Sequence, residues 1–331
     1  MQIRNTGHNG IHLPASHIVL DGAGSDPQAH IFISHAHSDH VPGKRSVPVY
    51  ASPATAALMR ARGHRGPVRE LAFGQTLALP SADVTMYPAG HILGSAMFFI
   101  ETDEGSLLYT GDCRRPPSPA SEGFALPDRS VDQLIIEATF GLPLYKWEPH
   151  EVLFSQIRTF AAKSLDAEAV PILLCYSLGK AQEVMMALAA SDPPVTVQIH
   201  PAGVPLTRIY EEFGMSMGHW EPFDPENLAG KVLLIPSSAL NNPDIRMIPN
   251  RRLAYVSGWA SIDAYGSRLM ADTLIPLSDH LDFFSLMDLC REIAPGHIWL
   301  THSPNPDVAL HYLQKEGFSC GSLEKEQYRE V

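Results

Sequence analysis

The sequence predicts an α/β protein whose main domain is interrupted by a second α/β segment, and three observations lead there. Short apolar runs rich in β-branched and aromatic residues dominate residues 17–139, with one clear helix among them. From about residue 150, helices and strands alternate, as they do in a parallel sheet. The remaining residues return to strands that end on polar turns, two of them carrying histidine.

Taken in order, HIVLD (17–21), HIFIS (30–34), VPVYA (47–51), VTMYPA (84–89), AMFFIET (96–102), SLLYTGD (106–112) and QLIIEAT (133–139) read as strands. PATAALMRAR (53–62) reads as a helix, with proline in its first turn and apolar residues at helical spacing. Next come a helix over 150–163, the strand PILLCYS (171–177), a helix over 180–191, the strand VTVQIH (195–200), a helix over 205–213 and the strand KVLLIP (231–236). RLAYVSG (252–258), DTLIPLS (272–278) and HIWLTH (297–302) follow as strands, interleaved with helices over 282–294 and 306–316. The expected organisation is therefore a main domain over 1–149, an insert over 150–250 and the rest of the main domain over 251–331.

Composition narrows the class. The 331 residues are 45% hydrophobic, enough to bury a large core. The four cysteines lie far apart with no C-x-x-C pair, which argues against a disulfide framework or a thiolate zinc site and for a reducing compartment. MQIRNTGHNG lacks the apolar core of a signal peptide, and no apolar run approaches the roughly 18–20 residues of a membrane span, so the expected location is the cytoplasm. A net charge of −12 excludes a broad nucleic-acid-coating surface but leaves room for a narrow site, where divalent cations supply the positive charge. One basic cluster stands out, Arg60, Arg62, Arg65 and Arg69 with Lys44 and Arg45 upstream, and it reads as a solvated face.

The chemistry concentrates in ISHAHSDHVPG (33–43), where His35, His37, Asp39 and His40 occupy six positions after an apolar strand. Neutral imidazoles and carboxylates are ligands for zinc and also suit iron or manganese. One catalytic zinc ion needs three protein ligands, so four in one loop with further candidates elsewhere imply two ions. His91 in YPAGHILGSA and Asp112 in LLYTGDCRR are those further candidates, each at a strand end beside glycine. Glycine lets backbone approach closely, and a carboxylate such as Asp112 can bridge two cations.

SHAHSDH, AGHILGS and YTGD, in that order after IVLDG, resemble the metallo-β-lactamase superfamily, an αββα sandwich of two sheets flanked by helices. That resemblance implies His35, His37 and His91 around one metal, Asp39 and His40 on the second, Asp112 between them, and Asp21 as the hydrogen-bond partner of a ligand. IIEATFG with Glu137, YSLGKAQE after the insert begins, PLSDHLD with His280 and WLTHS with His302 are similar to the β-CASP nucleases, whose α/β insert is a cap domain. EATFGLPLYKW, YSLGKAQ, SGWA and LSDHLDF resemble most the bacterial DNA-ligase-associated exonucleases of that family. The resemblance implies a DNA exonuclease of DNA repair with Asp39, Glu137 and His280 as its catalytic set and His302 completing the second metal site. It also implies two divalent ions, zinc first with manganese or iron as alternatives, and a DNA ligase or helicase in the same pathway.

Weaker signals lie in and around the insert. Lys180 opens a helix whose amide dipoles suit a phosphate, and Ser237, Ser238 and Ser257 offer hydroxyls to a substrate. Tyr145 and Trp147 could stack bases, though core packing explains them better. Three competing functions follow: an RNA-processing β-CASP ribonuclease, a hydrolase of a small thioester, lactone or amide, and a non-catalytic nucleic-acid-binding subunit. The insert argues against the second, since such enzymes lack it, and the full ligand set against the third.

Overall fold

The strand Ala96–Thr102 shows how the main domain is layered. Phe98 and Ile100 join a core with Ile18, Leu20, Phe32 and Tyr109, whereas Met97 and Phe99 join another with Leu286, Met287 and Leu310. Alternate side chains buried on both faces put this strand in the middle of a layered structure.

The computed structural model describes residues 1–7, 10–22, 26–43, 47–262 and 268–326. The chain divides into two units, Met1–Lys146 with His280–Val331, and Trp147–Asp279. In the first, β1 (Arg4–Gly7), β2 (Gly10–Leu13), β3 (Ile18–Leu20), β4 (His30–Phe32), β5 (Val49–Ala51) and β6 (Val68–Glu70) form a six-stranded sheet in sequence order. Pairing is antiparallel through β3 and parallel from β3 to β6. Between β5 and β6 runs α1 (Pro53–Ala61), begun by Pro53 and capped by Ser52, whose side chain accepts from Thr55 N.

A seven-stranded sheet packs on the first. It contains β7 (Thr76–Leu79), β8 (Ala82–Pro88), β9 (Ala96–Thr102), β10 (Gly105–Tyr109) and β11 (Gln133–Glu137).

The second unit holds α2 (His150–Asp166), β12 (Val170–Leu174), α3 (Lys180–Ala189), β13 (Thr196–Ile199), α4 (Val204–Glu212), β14 (Trp220–Pro222), β15 (Lys231–Ile235), α5 (Pro243–Arg246), β16 (Arg251–Val256) and β17 (Thr273–Ile275). Its sheet is parallel throughout, ordered β14-β13-β15-β12-β16-β17. β12 and β15 are apolar and buried almost end to end, as central parallel strands must be. This pairing corrects the expected insert boundary at 250, because β16 joins β12 and β17 joins β16. Choice of sheet is a non-local property, and nothing changes in the local pattern at that residue.

The chain then completes the first unit with α6 (Phe283–Ile293), β18 (His297–Thr301), α7 (Pro306–Lys315) and β19 (Cys320–Ser322). β18 lies parallel against β11, with Glu137 opposite Thr301, and α6 and α7 bury Leu286, Leu289, Leu310 and Leu313 on the outer face of this sheet. A sandwich of two packed sheets with helices on its outer face is the result. Strands β1, β2, β6, β7, β14 and β19 were not foreseen, being short and lacking a continuous run of buried apolar residues. Among the described residues no helix is long and apolar enough to cross a membrane.

Candidate metal centre

Buried β3 and β4 end side by side, and both chain ends turn toward one point. Asp21 follows β3 with φ 44°, and Ser34 N donates to its Oδ1 at 2.7 Å. Ser34 Oγ and Tyr109 Oη bond to Oδ2 at 2.6 and 2.7 Å, and His40 Nδ1 sits 2.8 Å from the same oxygen. The carboxylate is fully buried and saturated, which fixes the His40 ring with Nε2 facing away from it. Ser34 Oγ also lies 2.9 Å from His35 Nδ1 and holds that ring in the same sense.

Four donors then converge: nitrogens of His35, His37 and His91 and an oxygen of Asp112. His35 Nε2 is 3.1 Å from His37 Nδ1, and His91 Nε2 is 3.2 Å from the same nitrogen. Asp112 Oδ2 stands 3.5 Å from His35 Nε2 and 3.8 Å from His91 Nε2. A tetrahedron with metal arms of about 2.0–2.1 Å has edges of roughly 3.3–3.4 Å, so these spacings fit a divalent cation.

Asp112 also faces a second group. Its Oδ2 is 3.4 Å from His40 Nε2, and its Oδ1 is 2.9 Å from His302 Nδ1. His302 Nε2 is buried with no hydrogen-bond partner among the described residues, a state that costs about 1–3 kcal/mol in a closed protein. Asp39 lies farther out, with Oδ2 3.6 Å from His40 Nε2 and a side chain 65% exposed. Asp112 thus stands between the two groups, and its carboxyl is held well below the ordinary 3.8: burial opposes ionisation, but His40 and His302 outweigh it.

The histidines divide by surroundings. Burial, reinforced by His40, drives His35 well below its ordinary 6.5 and keeps it a neutral donor. Burial pushes His40 the same way, but Asp112 and Asp21 on either side outweigh it and hold the imidazole well above 6.5.

Beside the first group, His280 Nδ1 lies 2.8 Å from Oε1 of buried Glu137. Glu137 is fixed in turn, accepting from Cys113 N at 3.1 Å and Thr139 N at 3.3 Å. Rings of His91 and His280 are 4.7 Å apart, and Phe140 meets His280 edge-on. Tyr145 is buried against Phe140, a packing role.

Several supporting residues escaped the sequence reading. Tyr109 and Ser34 lie inside YTGD and ISHAH, yet only the acids and imidazoles of those motifs drew attention. Glu122 accepts from Gly94 N at 2.9 Å, while Ser52 and Thr55 hydroxyls donate to Gly94 O at 2.6 and 2.8 Å, clamping the loop that carries His91. No periodic or motif signal marks these residues.

In the second unit, the expected substrate residues follow the C-terminal ends of three adjacent parallel strands: Lys180 after β12, Ser237 and Ser238 after β15, and Ser257 after β16. Open α/β sheets present ligand sites along that edge. Lys180, however, is buried, its Nζ 3.4 Å from Glu183 and 3.3 Å from Asp279, so its charge already balances carboxylates. Ser257 Oγ accepts from Trp259 N, capping a short helical turn.

Comparison with known proteins follows the same lines. Residues 11–167 match the model of the "Beta-lactamase superfamily domain". Over 326 residues, 98% of this chain and 31% of the relative, the chain is 35% identical to a "Probable DNA ligase" of Opitutus terrae. It is 29% identical over 284 residues to the "5' exonuclease Apollo" of Gallus gallus, covering 80% of this chain and 56% of that one. The chain therefore spans about a third of one relative and about half of the other. A solved Enterococcus faecalis protein of unknown function shares the fold, with TM-score 0.61 and 14% identity over 90% of this chain and 91% of that one.

Proposed function

The chain belongs to the β-CASP nuclease family of the metallo-β-lactamase superfamily, and from that premise we propose that it is a metal-dependent DNA exonuclease acting in DNA repair. The observation that carries this reading is the paired donor set around Asp112 with Glu137–His280 beside it. His35, His37, His91 and Asp112 would hold one divalent cation and Asp39, His40, His302 and Asp112 the other, with zinc favoured by the nitrogen-rich donors and manganese or iron the alternatives. Two such ions supply a water activated near neutral pH and charge stabilisation at a scissile phosphate. His280 delivers a proton to the leaving sugar oxygen, and Glu137 aims the ring and stabilises its charged form. A relative named for exonuclease action and one named a probable DNA ligase favour DNA over RNA. The latter also makes a DNA ligase the expected partner in the pathway, and four free thiols suit the cytoplasm.

The test incubates purified protein with end-labelled single- and double-stranded DNA and RNA, with and without chelator, beside an Asp39→Ala variant. Stepwise, chelator-sensitive shortening of DNA, lost in the variant, is the expected result. Turnover of a small ester or thioester with every polynucleotide left intact overturns the reading.

A further inference from the structure

The basic cluster noted in the sequence is not a uniform solvated face. Arg60 Nη1 pairs with Glu70 at 3.1 Å, and Arg69 donates to Tyr50 Oη at 2.9 Å, so these two arginines serve the protein itself. Arg62 and Arg65, the latter donating to Arg60 O at 3.4 Å, line a cavity of about 220 Å³ between the end of α1 and the metal-ligand loop. Lys44 and Arg45 lie outside the described residues.

The wall of this cavity is unusual in three respects. Ala36 and Ser38 form part of it, and they are chain neighbours of His35, His37 and Asp39, so the cavity and the candidate metal centre share one loop. No carboxylate is among its described lining residues, in a chain whose acidic residues outnumber its basic ones 36 to 24. His64, also in the wall, has a buried Nε2 with no hydrogen-bond partner among the described residues. Its ring sits near Arg60, and burial with that charge lowers its pKa below 6.5, so it stands as a neutral hydrogen-bonding group in a cationic wall.

A cavity of this volume falls below the roughly 300–1,000 Å³ of ordinary small-molecule pockets, and it suits a small anion better than a nucleoside. Arginine favours phosphate because its planar fork donates two parallel hydrogen bonds. A polynucleotide whose scissile phosphate lies at the metal centre presents further phosphates one or two nucleotides away along the strand. On the reading of the chain as a nuclease, we propose that this cavity is a phosphate subsite, in which Arg62 and Arg65 hold a backbone phosphate neighbouring the one at the metal centre. The subsite sets where the strand lies without touching the reacting atoms.

The experiment measures binding, not turnover. Anisotropy of a fluorescent single-stranded phosphorothioate oligodeoxynucleotide, chosen to resist hydrolysis, is followed with the metal-loaded protein at several salt concentrations for the wild-type chain, Arg62→Ala/Arg65→Ala and Arg62→Lys/Arg65→Lys, with thermal unfolding recorded for each. The alanine pair is expected to weaken binding about tenfold and to lower the slope of log affinity against log salt by about one, while the lysine pair keeps the slope. Should the double alanine variant unfold, single Arg62→Gln and Arg65→Gln variants carry the same readout. Wild-type binding that the folded alanine variant reproduces in affinity and slope overturns the subsite and leaves the nuclease reading standing. Absence of wild-type binding overturns both.

Discussion

Nδ1 of His280 lies 2.8 Å from Oε1 of Glu137, across 143 positions of sequence. The contact gives the imidazole a fixed orientation and a negative partner at the border of the metal centre, as a proton donor to a leaving group requires. Replacing His280 with Ala is expected to lower kcat by roughly 10²–10⁴. Glu137→Gln is expected to move the alkaline limb of the pH–rate profile to lower pH, since the charged imidazole loses its negative partner. Metal content, read by atomic absorption, should stay unchanged in both, and its loss would make the pair ligands instead.

Tyr109→Phe removes one of the donors that saturate Asp21 and changes nothing in shape. Loss of a buried hydrogen bond to a charged group is expected to lower unfolding free energy by about 1.5–3 kcal/mol in a denaturant titration. Because Asp21 orients His40, affinity at the second cation site should fall about 10–100-fold in a competition assay. An unchanged affinity would show that Ser34 alone positions the carboxylate.

Metal binding should release a proton. His40 is held well above 6.5 by Asp112 and Asp21, so it is charged at neutral pH without a cation and must lose its proton to become a ligand. Calorimetry in buffers of different ionisation heat is expected to show about one proton expelled per chain, and affinity should climb as pH rises toward the raised value. In the metal-free protein the sign reverses. The charged His40 contributes stability that is fully present below 6.5 and is lost as pH rises through its raised pKa.

Gly90 has φ 75°, and a Cβ there would stand 2.2 Å from Arg114 O, a backbone atom that cannot swing aside. Gly90→Ala is therefore expected to cost at least about 1–3 kcal/mol from the left-handed backbone alone. The displaced neighbour is His91, so cation binding should fall with the melting temperature. A variant as stable as wild type would contradict this packing.

The thiols should be inert in the folded chain. Burial pushes Cys175 and Cys290 up to about 12 and Cys113 well above its ordinary 9.0. Cys320, only partly buried, is expected to react first with an aromatic disulfide at pH 8, and the other three only on unfolding.

Much of this was legible in the chain because donors for a metal must be particular residues near strand ends. His35 and His37 announced themselves by type and density after a strand, His91 and Asp112 by type and by the glycines beside them, and the four converge in space. Tyr109, Ser34 and Glu122 did not, since hydroxyls and acids occur everywhere and only tertiary contact tells which one orients a ligand. The insert boundary failed for a related reason. Strands such as Arg251–Val256 carry the same local signal whichever sheet they join, and partner choice is decided by residues far away. Lys180 looked like a phosphate ligand by its place at a helix start, but the carboxylates that occupy it come from positions 183 and 279.

The parallel seam between β11 and β18 bears on how the molecule is made as well as what it does. A ribosome delivers Glu137 long before His280 and His302, and at about 5–20 residues per second the 143 positions between Glu137 and His280 take roughly 7–30 s. During that interval β11 presents an open parallel edge and the candidate cutting apparatus is incomplete. A nascent chain therefore carries its first donors, His35 through Asp112, with no proton donor beside them. A chain stopped anywhere before His297 lacks the strand that closes the sheet.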